Sequence, residues 1–151
     1  MALIPVAEAL ERLLDGAGPL PGESVPLMEA MERVLAEPVV ALRTQPPFDA
    51  SAMDGYAVRS ADLDTLPVRL SVIGAAPAGH AFAGAVGEKK AVRIFTGAPM
   101  PAGADTVVIQ ENTRDLGNSA IEDVEATAHG ANIRKAGLDF AEGDLLLEKG
   151  R

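Results

Sequence analysis

The chain contains no cysteine and no tryptophan, and only 3% of its 151 residues are aromatic. The absence of cysteine excludes a disulfide framework, a thiolate metal site and a cysteine nucleophile. Because aromatic side chains are so scarce, a hydrophobic core must be built from Ala, Val, Leu and Ile. Hydrophobic residues make up 48% of the chain, which is enough for such a core in one ordinary domain or two small ones.

Positive charge is also scarce, with 13 Lys and Arg residues against 22 Asp and Glu residues and a net charge of −9. Since phosphate groups attract basic patches, this balance argues against a nucleic-acid partner and against an anionic membrane. The chain has no apolar run of about 18 residues, and its N-terminus lacks the basic segment of a secretory signal. These features are typical of a cytoplasmic protein.

Several common functional motifs are missing as well. His80 and His129 are far apart in the sequence, and without a His-x-x-x-His spacing they do not favour a zinc site. Gly16 and Gly18 form a Gly-x-Gly pair, but it follows a predicted helix and does not link a strand to a helix, so we reject a dinucleotide-binding motif. The chain also has no P-loop and no nucleophile elbow.

The first part of the chain has helical periodicity. Apolar residues at helical spacing predict an amphipathic helix over 3–14, in which Pro5 is tolerated because it falls in the first turn. A second helix is predicted over 27–36, with Ser24 as its cap and Leu27, Met31 and Val34 among its buried residues. Pro38 ends that helix, and residues 39–42 are predicted to be extended.

From about residue 60 the pattern changes from helical to alternating, which predicts strands separated by turns rich in Gly, Pro and Asn. The predicted strands are 68–73, 90–95, 106–113 and 120–124, with a hairpin turn at 116–119 before the last of them. The acidic residues Glu122, Asp123 and Glu125 are expected on an exposed edge. We therefore predict an α+β fold, in which short N-terminal helices and extended linkers accompany a small, mostly antiparallel, barrel-like or sandwich-like β domain.

Residues 46–58 form the most distinctive stretch of the chain. Pro46 and Pro47 make a stiff, non-helical entry, and the Asp54-Gly55 dipeptide is typical of a tight turn. A rigid loop that holds a carboxylate is a candidate for function, but loop aspartates also commonly cap turns. From the residues alone, both interpretations of Asp54 remain open, and Ser51 is open to the same two interpretations.

Two other places attract attention for similar reasons. Thr96-Gly97 follows a predicted strand directly, and a hydroxyl beside a glycine allows a ligand to approach the backbone closely. The alternative is a threonine that simply ends a strand. Farther along, Arg134 and Lys135 precede Asp139, and they either neutralise this acid, bind a phosphate or form a solvated surface.

Three stretches together resemble one family. They are residues 48–57, FDASAMDGYA, residues 93–105, RIFTGAPMPAGAD, and residues 132–139, NIRKAGLD. In this order they are similar to the motifs of the molybdopterin molybdenumtransferase family, which includes bacterial MoeA and the E domain of gephyrin. This resemblance changes the interpretation of the loop acids, because the matching positions of the family belong to an active-site region.

The resemblance implies a set of site residues. Asp54, Thr96 and Asp139 would be catalytic, Asp54 would also meet the metal, and the cofactor-binding residues would be Ser51, Gly97 and Arg134. The implied reaction inserts molybdenum from molybdate into adenylylated molybdopterin with Mg²⁺ and releases AMP. The chain departs from the family pattern in having Ala50 where relatives often have Asn, and Leu138 where they typically have Glu.

The resemblance also implies an organisation. Residues 1–60 and 131–151 would form a helical and extended dimerisation region around a β domain at 61–130. The family continues into a pterin-binding α/β domain and a further β domain, so the chain is expected to be the N-terminal part of a longer homodimeric enzyme. An adenylyltransferase would supply its substrate. The alternative is a non-catalytic dimerisation or scaffold module.

Overall fold

The computed structural model describes residues 3–151 and divides into two units, one of residues 3–39 with 146–151 and one of residues 40–145. Within the described residues no helix is both long enough and apolar enough to cross a membrane. The first unit contains the α-helix and the second contains the sheet that carries the candidate site.

Helix α1 spans Val6–Leu14, inside the predicted range of 3–14. Pro5 directly precedes the helix, where its missing N–H costs no hydrogen bond, and its carbonyl accepts the N–H of Ala9 at 3.0 Å. Arg12 and Glu8 form an exposed i,i+4 ion pair at 2.6 Å. The first predicted helix is therefore confirmed, and it begins three residues later than expected.

The second predicted helix, 27–36, is wrong. Only a single 3-10 turn forms there, at Leu27–Glu29, and Ser24 does not cap it. A helix of about ten residues is marginal without tertiary packing. Leu27, Met31 and Val34 were all expected to be buried, and all three are exposed. In addition, the N–H and C=O of Leu35 pair with Arg151 and Gly150, so its backbone is not available to a helix.

The second unit is built on a six-stranded mixed sheet that curls into a half-barrel. Its strand order is β6-β3-β5-β4-β8-β7, and every pair is antiparallel except β4 with β5. The strands are β3 Gly55–Val58, β4 Val68–Ala76, β5 Lys90–Ile94, β6 Thr106–Ile109, β7 Thr113–Gly117 and β8 Ala120–Asp123. This architecture confirms the predicted α+β fold with a small, mostly antiparallel β domain.

Four short strands lie outside this sheet. They are β1 Val39–Val40, β2 Ala50–Ser51, β9 Ile133–Arg134 and β10 Leu145–Leu147. They form two two-stranded sheets, β1 with β10 and β2 with β9. Strand β3 lies second in the six-stranded sheet, although its residues were predicted to belong to the 1–60 region. The predicted domain boundaries themselves stay a prediction.

All four predicted strands differ from their predicted bounds: β5 and β8 each end one residue early, and the other two differ by more. Strand β4 continues through Gly74, which was expected to end it, as far as Ala76, and the ring of Phe82 lies 2.5 Å from the position of a Cβ on Gly74. The predicted strand 106–113 is interrupted by a 3-10 turn at Gln110–Asn112 and resumes as β7. The hairpin turn between β7 and β8 is confirmed, with Asn118 and Ser119 both at positive φ.

The part of the sheet formed by β3, β5 and β6 is covered on both faces, which explains why these strands carry adjacent apolar residues. One buried cluster contains Ala57, Val92 and Val107, and a second contains their sequence neighbours Val58, Ala91 and Val108. Because successive side chains of a strand point to opposite faces, β3, β5 and β6 each contribute to both clusters. The buried apolar residues of the described chain are Ala, Val, Leu and Ile, as the composition required.

Candidate functional site

Strand β2 joins the first motif to the other two. The N–H of Ser51 donates to Ala98 O and the N–H of Gly97 donates to Ser51 O, both at 2.9 Å. On its other side β2 pairs with β9, where Ala50 lies opposite Arg134. Residues far apart in the sequence are thus brought to one place by backbone hydrogen bonds.

The hydroxyl of Ser51 is buried and faces its own loop. It donates to Met53 O at 2.6 Å and accepts the Met53 N–H at 3.4 Å, so it closes the turn that leads to Asp54. Its predicted role in cofactor binding stays a prediction. Gly97 is exposed at a φ of +82°, a backbone conformation that favours glycine, and it leaves the backbone beside Thr96 uncovered.

The central feature of the site is the contact between Asp54 and Thr96. The Thr96 N–H donates to Asp54 Oδ1 at 2.8 Å and the Thr96 hydroxyl donates to the same oxygen at 2.9 Å. Among the described residues, Asp54 Oδ2 accepts no hydrogen bond from the protein, and the pair lies at the surface. The structure therefore fixes one carboxylate oxygen and leaves the other without a donor from the described residues.

This contact also sets the charge of the acid. The hydrogen bonds from the Thr96 backbone and hydroxyl lower the pKa of Asp54 below its ordinary value of 3.8, and nearby Arg93 contributes in the same direction. Asp54 is consequently an anion at neutral pH. An anionic, partly exposed carboxylate can bind a hard cation or accept a proton from a bound group.

Arg93 supports this arrangement, although no role was predicted for it from the sequence. One guanidinium nitrogen donates to Gly55 O at 2.8 Å and another donates to the Gln110 side chain. The guanidinium lies over the rings of Tyr56 and Phe95, at 5.1 and 4.7 Å from their centroids. The aromatic residues within the first two motifs, Tyr56 and Phe95, were the signal that could have identified it.

The backbone on the other side of Asp54 is equally constrained. Gly55 lies so close to β6 that a Cβ would be 2.0 Å from Val108 O. The N–H of Gln110 donates to Asp54 O at 3.2 Å. Glycine is therefore required at 55 by the close approach of a neighbouring strand, and the turn that holds Asp54 is anchored at both ends.

The third motif holds a second charged pair. One terminal nitrogen of Arg134 lies 2.8 and 2.9 Å from the two carboxylate oxygens of Asp139. Both side chains are roughly half exposed. Asp139 therefore has its charge neutralised by Arg134 in this structure, and no direct contact joins this pair to the Asp54–Thr96 pair.

Asp49 connects the third motif to the first. Its Oδ2 accepts Lys135 Nζ at 2.8 Å and its Oδ1 accepts the Ala136 N–H at 2.9 Å. Two hydrogen bonds lower the pKa of Asp49, the one from Lys135 by the larger amount and the one from the Ala136 N–H by less. Nothing local to Asp49 in the sequence indicates a partner 86 positions away.

The donor set can be tested against the magnesium ion that the resemblance implies. Among residues 3–151 no group of three or more His, Asp or Glu side chains could hold a metal ion. Mg²⁺ commonly keeps several waters and binds through one or two carboxylates together with substrate phosphates. Asp54 fits such a shared ion, and the described residues do not form an all-protein metal cage.

Comparison with known proteins agrees with this geometry. The family model described as MoeA N-terminal region (domain I and II) matches residues 4–151. A molybdopterin molybdenumtransferase of Haemophilus influenzae is 42% identical over 132 residues, covering 87% of this chain and 32% of its own length. One from Bacillus subtilis is 40% identical over 159 residues, covering 97% of this chain and 36% of its own length.

A solved structure gives the same result. The crystal structure of a molybdopterin biosynthesis moeA protein from Pyrococcus horikoshii OT3 superposes with a TM-score of 0.89 at 39% identity, covering 98% of this chain and 40% of the other. The chain thus spans about a third of the length of the curated relatives it matches. It belongs to the MoeA family, and it corresponds to the N-terminal region of that family, domains I and II.

Proposed function

We propose that this chain supplies one wall of the active site of a molybdopterin molybdenumtransferase. The reaction would insert molybdenum from molybdate into adenylylated molybdopterin and release AMP. The named activity of the relatives supports this proposal, and the observation that carries it is the Asp54–Thr96 pair. A fixed anionic carboxylate with one exposed oxygen suits a site that handles a cation and a phosphate.

The proposed roles follow from the contacts. Thr96 holds Asp54 Oδ1, so that Oδ2 points to the ligand side as an anion. Mg²⁺, when bound, would neutralise phosphate charge and bring its waters to the carboxylate. Asp139 engages only one terminal nitrogen of Arg134, which leaves the rest of the guanidinium to meet a phosphate oxygen. Gly97 leaves space for the substrate beside Thr96.

The proposal includes a second domain, a homodimer, a cellular compartment and a partner enzyme. The second wall of the cleft would come from a pterin-binding domain, and the protein would act as a homodimer in the cytoplasm. A molybdopterin adenylyltransferase would supply the substrate. The rival proposal is a non-catalytic dimerisation or scaffold module, because one wall alone cannot position both reactants.

The first experiment separates these two proposals. The intact mass of the protein from its native host is measured, and the same preparation is incubated with molybdate, Mg²⁺ and adenylylated molybdopterin. A mass of roughly 40 kDa or more with AMP release supports the enzyme. A mass near 15.6 kDa without AMP release supports the scaffold module.

A further inference from the structure

Asp49 is the point where all three motifs meet. Its carboxylate binds Lys135 and the Ala136 N–H, and its own carbonyl accepts the Met100 N–H at 2.9 Å. It lies five residues before Asp54 and one residue before β2. This residue of the first motif therefore contacts both the loop after Thr96 and the segment that carries Arg134.

We propose that Asp49 is a positioning residue for the active site. Its carboxylate holds the segment 132–139 against the Asp54 loop, and so sets the position of the Arg134–Asp139 pair relative to the Asp54–Thr96 pair. The inference rests on the proposed function for its effect on catalysis. The positioning itself is a property of the fold, and it can be measured without any activity.

A purely stabilising role is a weaker explanation of these contacts. The side chain of Lys135 is 64% exposed and that of Asp49 is 38% exposed, and ion pairs at such sites contribute little to stability. The segment is also held by the backbone pairing of β2 with β9, and the N–H groups of Gly137 and Asp139 donate to Pro46 O at 2.9 Å and to Gln45 O at 3.0 Å. Loss of the carboxylate should therefore leave the chain folded and loosen residues 135–136, which lie between these anchors and link Arg134 to Asp139.

Hydrogen exchange tests the positioning. In Asp49→Ala we expect the Ala136 amide to exchange at least about tenfold faster, while the melting temperature changes by only a few degrees. Asp49→Asn keeps a neutral acceptor for Ala136 and should show an intermediate change. The matched control is Asp115→Ala, because Asp115 also accepts a loop N–H, that of Gly117 at 2.8 Å, away from the motifs.

Kinetics of the protein as its native host makes it test the consequence. We expect kcat to fall between about tenfold and a hundredfold in Asp49→Ala, with a much smaller change in KM, since a displaced catalytic group costs rate more than binding. Lys135→Gln removes the ion pair alone and should give a partial loss. Asp115→Ala should keep the wild-type kcat.

The outcomes distinguish this inference from the proposed function. Unchanged Ala136 exchange in Asp49→Ala overturns the positioning role, and so does an unchanged kcat in an active protein. A wild-type protein that inserts no molybdenum refutes the proposed function, and the exchange measurement then decides the positioning role by itself. An equal loss in Asp49→Ala and Asp115→Ala would mean general destabilisation and would also overturn it.

Discussion

Thr96 donates both its backbone N–H and its hydroxyl to the same oxygen of Asp54, across a sequence separation of 42 residues. The two donors belong to Thr96, two residues after β5 ends at Ile94, and the acceptor lies in the turn directly before β3. Since β3 and β5 are neighbours in the sheet, the pairing of these strands fixes the contact. The sheet itself therefore sets the geometry of the acid.

The hydroxyl of Thr96 can be tested through the titration of Asp54. Both donors favour the ionised form of Asp54 and so stabilise the folded state. This contribution is fully present above the ordinary pKa of 3.8 and is lost as the pH falls through the lower pKa of Asp54 in the folded protein. Thr96→Val removes the hydroxyl donor and keeps the N–H, so the pKa of Asp54 should rise part of the way. Thr96→Ser should retain the wild-type value. Carboxyl NMR measures both, and an unchanged pKa in Thr96→Val would contradict this account.

The charge of Asp54 can be tested through activity. Asp54→Asn keeps the shape of the side chain and an acceptor for Thr96, but it removes the anion. In the protein as its native host makes it, we expect normal folding and a loss of molybdenum insertion on the order of a hundredfold. Asp64→Asn, in an exposed loop, is the control and should keep its activity. A near-wild-type rate in Asp54→Asn would argue against the active-site role.

The close approach at Gly55 predicts a large effect on stability. In Gly55→Ala the added Cβ would meet the Val108 carbonyl at 2.0 Å, and a backbone atom of a paired strand cannot move aside easily. We expect a loss of roughly 3 kcal/mol or more in the free energy of unfolding. Gly18→Ala is the control, because nothing lies within 4 Å of its Cβ position. Denaturant unfolding measures both, and equal stabilities would show that the sheet adjusts freely.

Replacement of Asp123 is expected to raise the stability of the protein. It was expected on an exposed edge, and this prediction was wrong: Asp123 is fully buried, and its Oδ2 has no hydrogen-bond partner among the described residues. Burial raises its pKa, so its ionisation opposes folding increasingly as the pH rises above 3.8 towards the folded value.

Asp123→Asn should therefore be more stable than the wild type at pH 7, by on the order of 1 kcal/mol. The difference should shrink as the pH is lowered, because the wild-type carboxyl becomes neutral. Unfolding curves at pH 4 and pH 7 measure it, with Glu122→Gln as the partly exposed control. A variant that is less stable than the wild type at both pH values would refute this interpretation.

The exposed apolar face of helix α1 leads us to expect a homodimer. Val6, Leu10, Leu13 and Leu14 lie at helical spacing and are between 55% and 86% exposed. We expect this face to be covered in a homodimer, since burial of such side chains is favourable. Light scattering should give a dimer for the wild type and for Glu11→Ala, and a shift to monomer for Leu10→Glu. A wild-type monomer at high concentration would remove this proposal.

Local patterns determined much of this protein. The alternation in β4, the turn at Asn118-Ser119 and the core of small aliphatic residues depend on neighbours in the sequence, so the chain itself predicted them. The motifs also identified Asp54 and Thr96 as candidates, and they lie in contact. These features rest on local backbone preferences and on the two-residue period of strands.

The tertiary structure decided the rest. The segment 27–36 has helical periodicity but finds no surface to pack on, and the backbone of Leu35 pairs with the C-terminal residues. Asp123 is buried by strands on both sides of β8. Asp49 meets Lys135 across 86 residues. No local pattern encodes such partners, because burial and long-range hydrogen bonds depend on which distant segments the fold brings together.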